Sequence, residues 1–255
     1  MSLTISLRSE TLKLKRTLSL YLCVLAAAFG PFMSFLEYID MDPAAPKGLP
    51  WIDHFMRGRE PLCAALLPLY VILICTLLLQ IEYRDKTWKQ VLSSPQKMIN
   101  VFLAKFITLQ LMILLFLLGF NLFMAITALV AEVLHPELYN GKIDFYKIFT
   151  TNAQSYILII GVSAVQFWLS LRFKNFIAPL AIGFGLWFLA PMMLFQFKWS
   201  IVEQYPYAFT MLSVLPSFMP TFKANAISYQ LYSIATAVVF LSLAFVEFKT
   251  RKIRG

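Results

Sequence analysis

The sequence holds few groups able to do covalent or metal chemistry, and their spacing argues against both. Its only histidines, His54 and His135, fall in two different predicted loops, and no His-Glu-x-x-His pattern occurs, so no metal site is expected. Gly161-Val162-Ser163 lacks the closing glycine of a nucleophile elbow, and no histidine falls in a predicted helix to serve as its base. Ser163 therefore reads as a helix-packing or polar lining group. Gly141-Lys142 has no glycine before it at phosphate-loop spacing, so a nucleotide site within this chain is not expected. Cys23, Cys63 and Cys75 are scattered through apolar stretches and read as packing thiols, too few for a disulfide framework. No catalytic residue, metal ligand or cofactor is assigned.

Ionisable residues are scarce inside the apolar runs. Ion-coupled carriers commonly hold Asp, Glu or His near mid-membrane. Here Glu37, Glu132 and Glu247 sit at the ends of predicted helices, and Asn121 and Gln166 are the deep polar candidates. Either could line a pathway or make an interhelical hydrogen bond. The chain offers no internal energy source, so uphill movement of a cargo would need an external motor.

The richest segment runs from Ile81 to Pro95: Ile-Glu-Tyr-Arg-Asp-Lys-Thr-Trp-Lys-Gln-Val-Leu-Ser-Ser-Pro. As a helix it puts Trp88, Val91 and Leu92 on one face, with Arg84, Lys86, Lys89 and Gln90 covering the rest. Such a helix could lie under lipid headgroups or dock a cytoplasmic partner. In the docking reading Trp88 anchors, Val91 and Leu92 extend the apolar face, and Arg84, Asp85, Lys86 and Lys89 set register at the rim.

Those residues must be carried by membrane helices. Of 255 residues, 60% are apolar or aromatic, 14% are charged and 24 are Phe, and the mean hydropathy is +0.72. A soluble fold could not cover that much apolar surface with so little charge. The fold class is all-α, a single transmembrane domain over 1–255. Six segments are long and apolar enough to span, taking about 20 residues per crossing: 18–36, 61–80, 95–131, 155–171, 177–197 and 229–246. Of the 22 Lys and Arg residues, roughly two thirds lie on the side of the N-terminus, so the positive-inside rule predicts both termini cytoplasmic. That asymmetry accounts for the net charge of +9 without a nucleic-acid partner.

Ser94-Pro95 reads as N-cap and first position of the third helix. The short turn Arg172-Phe173-Lys174-Asn175 predicts that the fourth and fifth helices are antiparallel neighbours. Residues 37–60 read as a solvated outer loop rich in turn formers, and 135–154 as an ordinary polar one. The stretch 207–222 is apolar but interrupted by Pro216 and Pro220, which predicts a re-entrant outer segment packed against protein.

The cytoplasmic loop 82–94 resembles the first cytoplasmic loop of ABC-2 type transporter permeases. An acidic residue, a Thr, Leu-x-x-Pro and a later Lys occur in order as Glu82, Thr87, Leu92, Pro95 and Lys105; Lys86 stands where a Gly is usual. The amphipathic N-terminal segment Leu7–Thr17, with Glu10, Lys13, Lys15 and Arg16, is similar to that of the bacitracin- and lantibiotic-type branch. The resemblance implies a multi-pass protein of the cell membrane. It implies the permease half of an ATP-driven exporter, paired with a second copy or a sister permease in the bilayer. ATP and Mg would then be bound by a separate cytoplasmic ATPase, docked through Glu82, Arg84, Asp85, Lys86, Thr87, Trp88, Lys89, Val91, Leu92 and Pro95. A secondary carrier or channel, a membrane sensor or scaffold, and an intramembrane enzyme are the alternatives.

Overall fold

The computed structural model describes residues 3–14, 17–39, 48–84, 97–135, 139–140, 142–218 and 225–251. Nine α-helices fill these stretches: α1 (Leu3–Leu14), α2 (Ser19–Ile39), α3 (Trp51–Pro61), α4 (Leu67–Arg84), α5 (Met98–Leu134), α6 (Phe145–Arg172), α7 (Ile177–Pro191), α8 (Phe209–Phe218) and α9 (Ala226–Arg251). Six helical spans are long and apolar enough to cross a membrane, as the hydropathy pattern predicts.

The spans outrun the apolar runs that announce them. α3 and α4 form one continuous helix through a π-turn at Leu62–Leu66, so the second span starts at Trp51 rather than Pro61. The π-turn follows Pro61, which has no backbone N–H to give to the ladder, and the wider turn absorbs that gap. Residues 37–39 and 51–60 of the expected loop are therefore helix, and 40–47 lie outside the described residues. The polar first turns of α6 likewise extend the fourth span back to Phe145, where the Asp144 carboxylate accepts the Lys147 backbone N–H at 2.9 Å. The third span begins at Met98, with extended Lys97 at its cap, so Ser94-Pro95 is not the cap of this helix. At 37 residues α5 is about 55 Å long at 1.5 Å per residue, well beyond the hydrocarbon thickness.

The bundle has two ends. At one, the near end, lie α1, the last turn of α4, the start of α5, the 172–176 turn and the last turns of α9. Gln80 Nε2 donates to the Phe173 and Asn175 carbonyls there, at 3.2 and 3.0 Å, and Phe102 touches Phe245 and Phe248. Both ends of the described chain thus lie on one side of the bundle. The far end carries α3 and the stretch 197–218. There Leu49–Pro50 pairs in parallel with Tyr139–Asn140 and ties two connections together.

Close contacts fix the helix order. α6 packs most extensively on α9 and α2 on α5. Gly161 lets α6 approach α9 so closely that its N–H reaches Ser233 Oγ at 3.0 Å. α7 leans mainly on α4, and touches α6 where Gly183 faces Gln166 and Ile72. The short turn therefore makes the fourth and fifth spans antiparallel, with the fifth packed more on α4 than on α6.

Beyond Lys198, whose positive φ of 53° turns the chain, two short 3₁₀ turns lead into α8. Tyr207, Ala208, Phe209, Thr210, Leu212, Val214 and Leu215 are buried. Tyr207 descends far enough to donate its hydroxyl to Gln166 Oε1 at 3.4 Å. Of the expected re-entrant stretch 207–222, residues 207–218 are packed into the far end of the bundle, and 219–222 lie outside the described residues.

Candidate coupling end and pathway

Of the docking set, Asp85, Lys86, Thr87, Trp88, Lys89, Val91, Leu92 and Pro95 lie outside the described residues. Glu82 and Arg84 belong to the last turn of α4 at the near end. The resemblance quoted two further residues, Glu10 and Lys105, and the fold brings them together. Lys105 Nζ, 4% exposed as a residue, lies 3.2 Å from both Glu10 carboxylate oxygens, and Lys13 Nζ lies 2.7 Å from Glu10 Oε1. Burial pushes the Glu10 carboxyl up, but the ammonium charges of Lys105 and Lys13 and their hydrogen bonds outweigh it and hold the group below its ordinary value. One carboxylate thereby clamps α1 to the first turns of α5. The cluster closes a small crevice that Cys75, Leu79, Thr108 and Phe167 also line.

A second link at this end joins α6 to α9. Trp168 Nε1 donates to Glu247 Oε2 at 3.0 Å, and the Arg172 guanidinium lies 5.4 Å from the Trp168 ring centre.

The two deep carboxamides are engaged between helices. Gln166 is fully buried. Its Nε2 donates to the Pro179 carbonyl at 2.8 Å and to Thr76 Oγ1 at 3.4 Å, while its Oε1 accepts from Tyr207. One side chain therefore joins α4, α6, α7 and the re-entrant segment. Asn121 is half-buried on α5 and exchanges two hydrogen bonds, at 2.9 and 3.1 Å, with Asn152 of α6. Each amide also donates 2.7 Å back to its own helix, to Leu117 and Ile148.

Several polar groups escaped the sequence reading. Gln110 on α5 donates to Ser163 Oγ at 2.9 Å, and Ser163 in turn donates to the Ile160 carbonyl at 2.7 Å. Ser163 is thus a packing group, bonded and buried. His54 is neither in a loop nor solvated: it is buried in α3 and its Nε2 donates 2.8 Å to the Met124 carbonyl. Asn152 and Ser155 lie at or before the expected start of the fourth helix, and Arg59 lay in the expected loop. Only the polarity of these stretches, read with helical spacing, could have flagged them. Cys23, Cys63 and Cys75 are free and buried, and among the described residues no cluster of His, Cys, Asp and Glu could hold a metal.

The sequence matches the family described as ABC-2 family transporter protein over residues 6–190, a stretch that runs from α1 into α7 and takes in loop 82–94. No curated protein matches the chain.

Proposed function

Because the chain belongs to the ABC-2 transporter family, we propose that it is the permease subunit of an ATP-driven exporter in the cell membrane. The family membership makes it a multi-pass membrane component of a transporter; the finer assignments are the proposal. The near end faces the cytoplasm in this reading, in keeping with the excess of Lys and Arg there. A separate ATPase docks on loop 82–94 and binds ATP and Mg. A second copy or a sister permease completes the pathway, and closure of the ATPase rocks the helices as rigid bodies. Asn121, half-buried about two thirds of the way along α5, is the pathway candidate, whereas Gln166 acts by holding Tyr207.

The observation that carries this reading is the family match across α1–α7. The ion cluster of Glu10, Lys13 and Lys105 supports it. It fastens the N-terminal helix to the long helix that directly follows the docking loop, so a push on the loop reaches both. A carrier or channel would need no ATPase. The test is affinity purification of the tagged chain from native membranes, followed by reconstitution. Retention of an ABC ATPase, with ATP-dependent efflux from vesicles, is the expected result. Transport driven by an ion gradient in the chain alone would overturn the reading in favour of a carrier.

A further inference from the structure

Arg59 is a half-buried charged side chain with no ion pair among the described residues. It sits in α3 just before Pro61, half-buried where α3 meets α6 and α8. Gln80 is bonded to the near-end turn, and a bilayer crossing of about 20 residues counted back from it brings the chain to residues 59–61. Arg59 therefore lies at headgroup depth on the far side. Its Nε donates to Ser155 Oγ at 3.3 Å and its Nη2 to Ser213 Oγ at 3.4 Å. Both bonds are long beside the roughly 2.7–2.9 Å of charge-assisted pairs, and both partners are neutral. Among the described residues no carboxylate forms an ion pair with it. Of the five N–H donors of a guanidinium, the outer edge has no protein acceptor among those residues. One turn before Ser213 on α8, Thr210 Oγ1 is buried with no hydrogen-bond partner among them.

A guanidinium held at the membrane boundary by two serines, with its fork open and no counter-charge, is built to take a tetrahedral oxyanion. We propose that Arg59, positioned by Ser155 and Ser213, binds a phosphate group at the far end of the bundle. The phosphate can come from a lipid headgroup of the surrounding leaflet or from free inorganic phosphate. The fork of Arg59 meets two of its oxygens. This site stands whether or not the chain is an exporter.

The test uses the full chain purified in dodecyl maltoside, which carries no phosphate. Binding of a fluorescent phosphatidylglycerol is measured by anisotropy, with inorganic phosphate as competitor. Saturable binding at one site is expected, at least tenfold weaker in Arg59→Gln and about threefold weaker in Arg59→Lys, which keeps the charge but loses the fork. Arg57→Gln, an exposed neighbour, should bind as the unmodified chain does. Displacement by millimolar phosphate assigns the site to the free ion, and resistance assigns it to the headgroup. Should Arg59→Gln fail to fold, Arg59→Lys against Arg57→Gln decides. Equal binding by the Arg59 and Arg57 variants, or no saturable binding by the unmodified chain to either probe, overturns the proposal.

Discussion

Lys105 Nζ lies 3.2 Å from both carboxylate oxygens of Glu10, 95 residues away in the chain. The contact ties a helix at the membrane boundary to the first turns of a spanning helix that starts beside the predicted docking loop. Its energetics are those of a buried pair. Removing one partner of such a pair costs about 3–5 kcal/mol, because the other charge stays buried. Lys13 softens this for Glu10 when Lys105 is the partner removed. Glu10→Gln should therefore lower the unfolding free energy by about 3 kcal/mol, and Lys105→Met, which removes the buried charge altogether, should cost less. Denaturation in mild detergent checks the order of the two variants.

The same cluster predicts a pH dependence. The Glu10 carboxyl is held below its ordinary value in the folded chain, so its contribution is complete above the unfolded value of about 4.3 and disappears as pH falls through the lower folded value. Protection of the α1 amides, taken relative to intrinsic exchange at each pH, should stay flat from neutrality to about pH 5 and fall only below about pH 4. In Glu10→Gln the acid step should vanish.

Glycine substitutions separate the helix contacts. A Cβ on Gly161 would meet the Ser233 carbonyl oxygen at 2.9 Å, which is backbone of the facing helix, whereas one on Gly185 meets nothing within 4 Å. Gly161→Ala should then cost about 2 kcal/mol by overpacking, and Gly185→Ala should gain a few tenths to about 1 kcal/mol from helix propensity. Thermal unfolding of the two variants in one detergent reads the difference. Equal midpoints would mean that α6 and α9 are not held at this separation.

Apolar runs reveal where a chain meets lipid, and that much of the fold was legible: six spans; Pro216, read as an interruption, lies inside α8 instead. Hydropathy says nothing of where a helix ends. Asp53, Arg57, Gly58, Arg59 and Glu60 look like a loop because they carry charge and a glycine, yet they continue the second span beyond the hydrocarbon. His54 and Arg59 were misplaced for that reason. Asn152 was missed because the polar first turns of α6 precede its apolar stretch. Gln110 was hidden differently, as a lone amide in a run of Leu, Ile and Phe. That Glu10 should meet Lys105 is invisible to periodicity, since it follows from how α1 folds back on α5.

Gln166 carries a prediction that separates support from passage. Replacing it by Leu orphans the buried Tyr207 hydroxyl, at about 1–3 kcal/mol for an unsatisfied group. Asn121→Leu strands Asn152, but at a half-buried place where water or lipid headgroups can compensate. Gln166→Leu should therefore lower abundance and thermal stability more than Asn121→Leu does. Asn121→Leu should change cargo efflux at near-normal abundance. Unchanged efflux in Asn121→Leu would leave that amide as a packing group.

The coupling proposal makes the firmest demand on Trp88. A soluble motor must push the membrane helices through a small rigid contact, and a tryptophan seated in a partner's pocket is the kind of anchor that carries such a load. In the helical reading of 82–94, Leu92 would extend the same face, one turn on. Trp88→Ala should cost about 2 kcal/mol of docking energy if it is a hot spot, roughly a thirtyfold loss in affinity. The loop lies outside the spans, so insertion and folding should be unchanged. The ion cluster of Glu10 and Lys105 should also stay intact, which the acid step in hydrogen exchange reports. The expected phenotype is normal membrane abundance, weak recovery of the ATPase and lost efflux. Full ATPase recovery and efflux in the double variant Trp88→Ala, Leu92→Ala would show that this helix lies under the lipid headgroups and that the motor docks elsewhere.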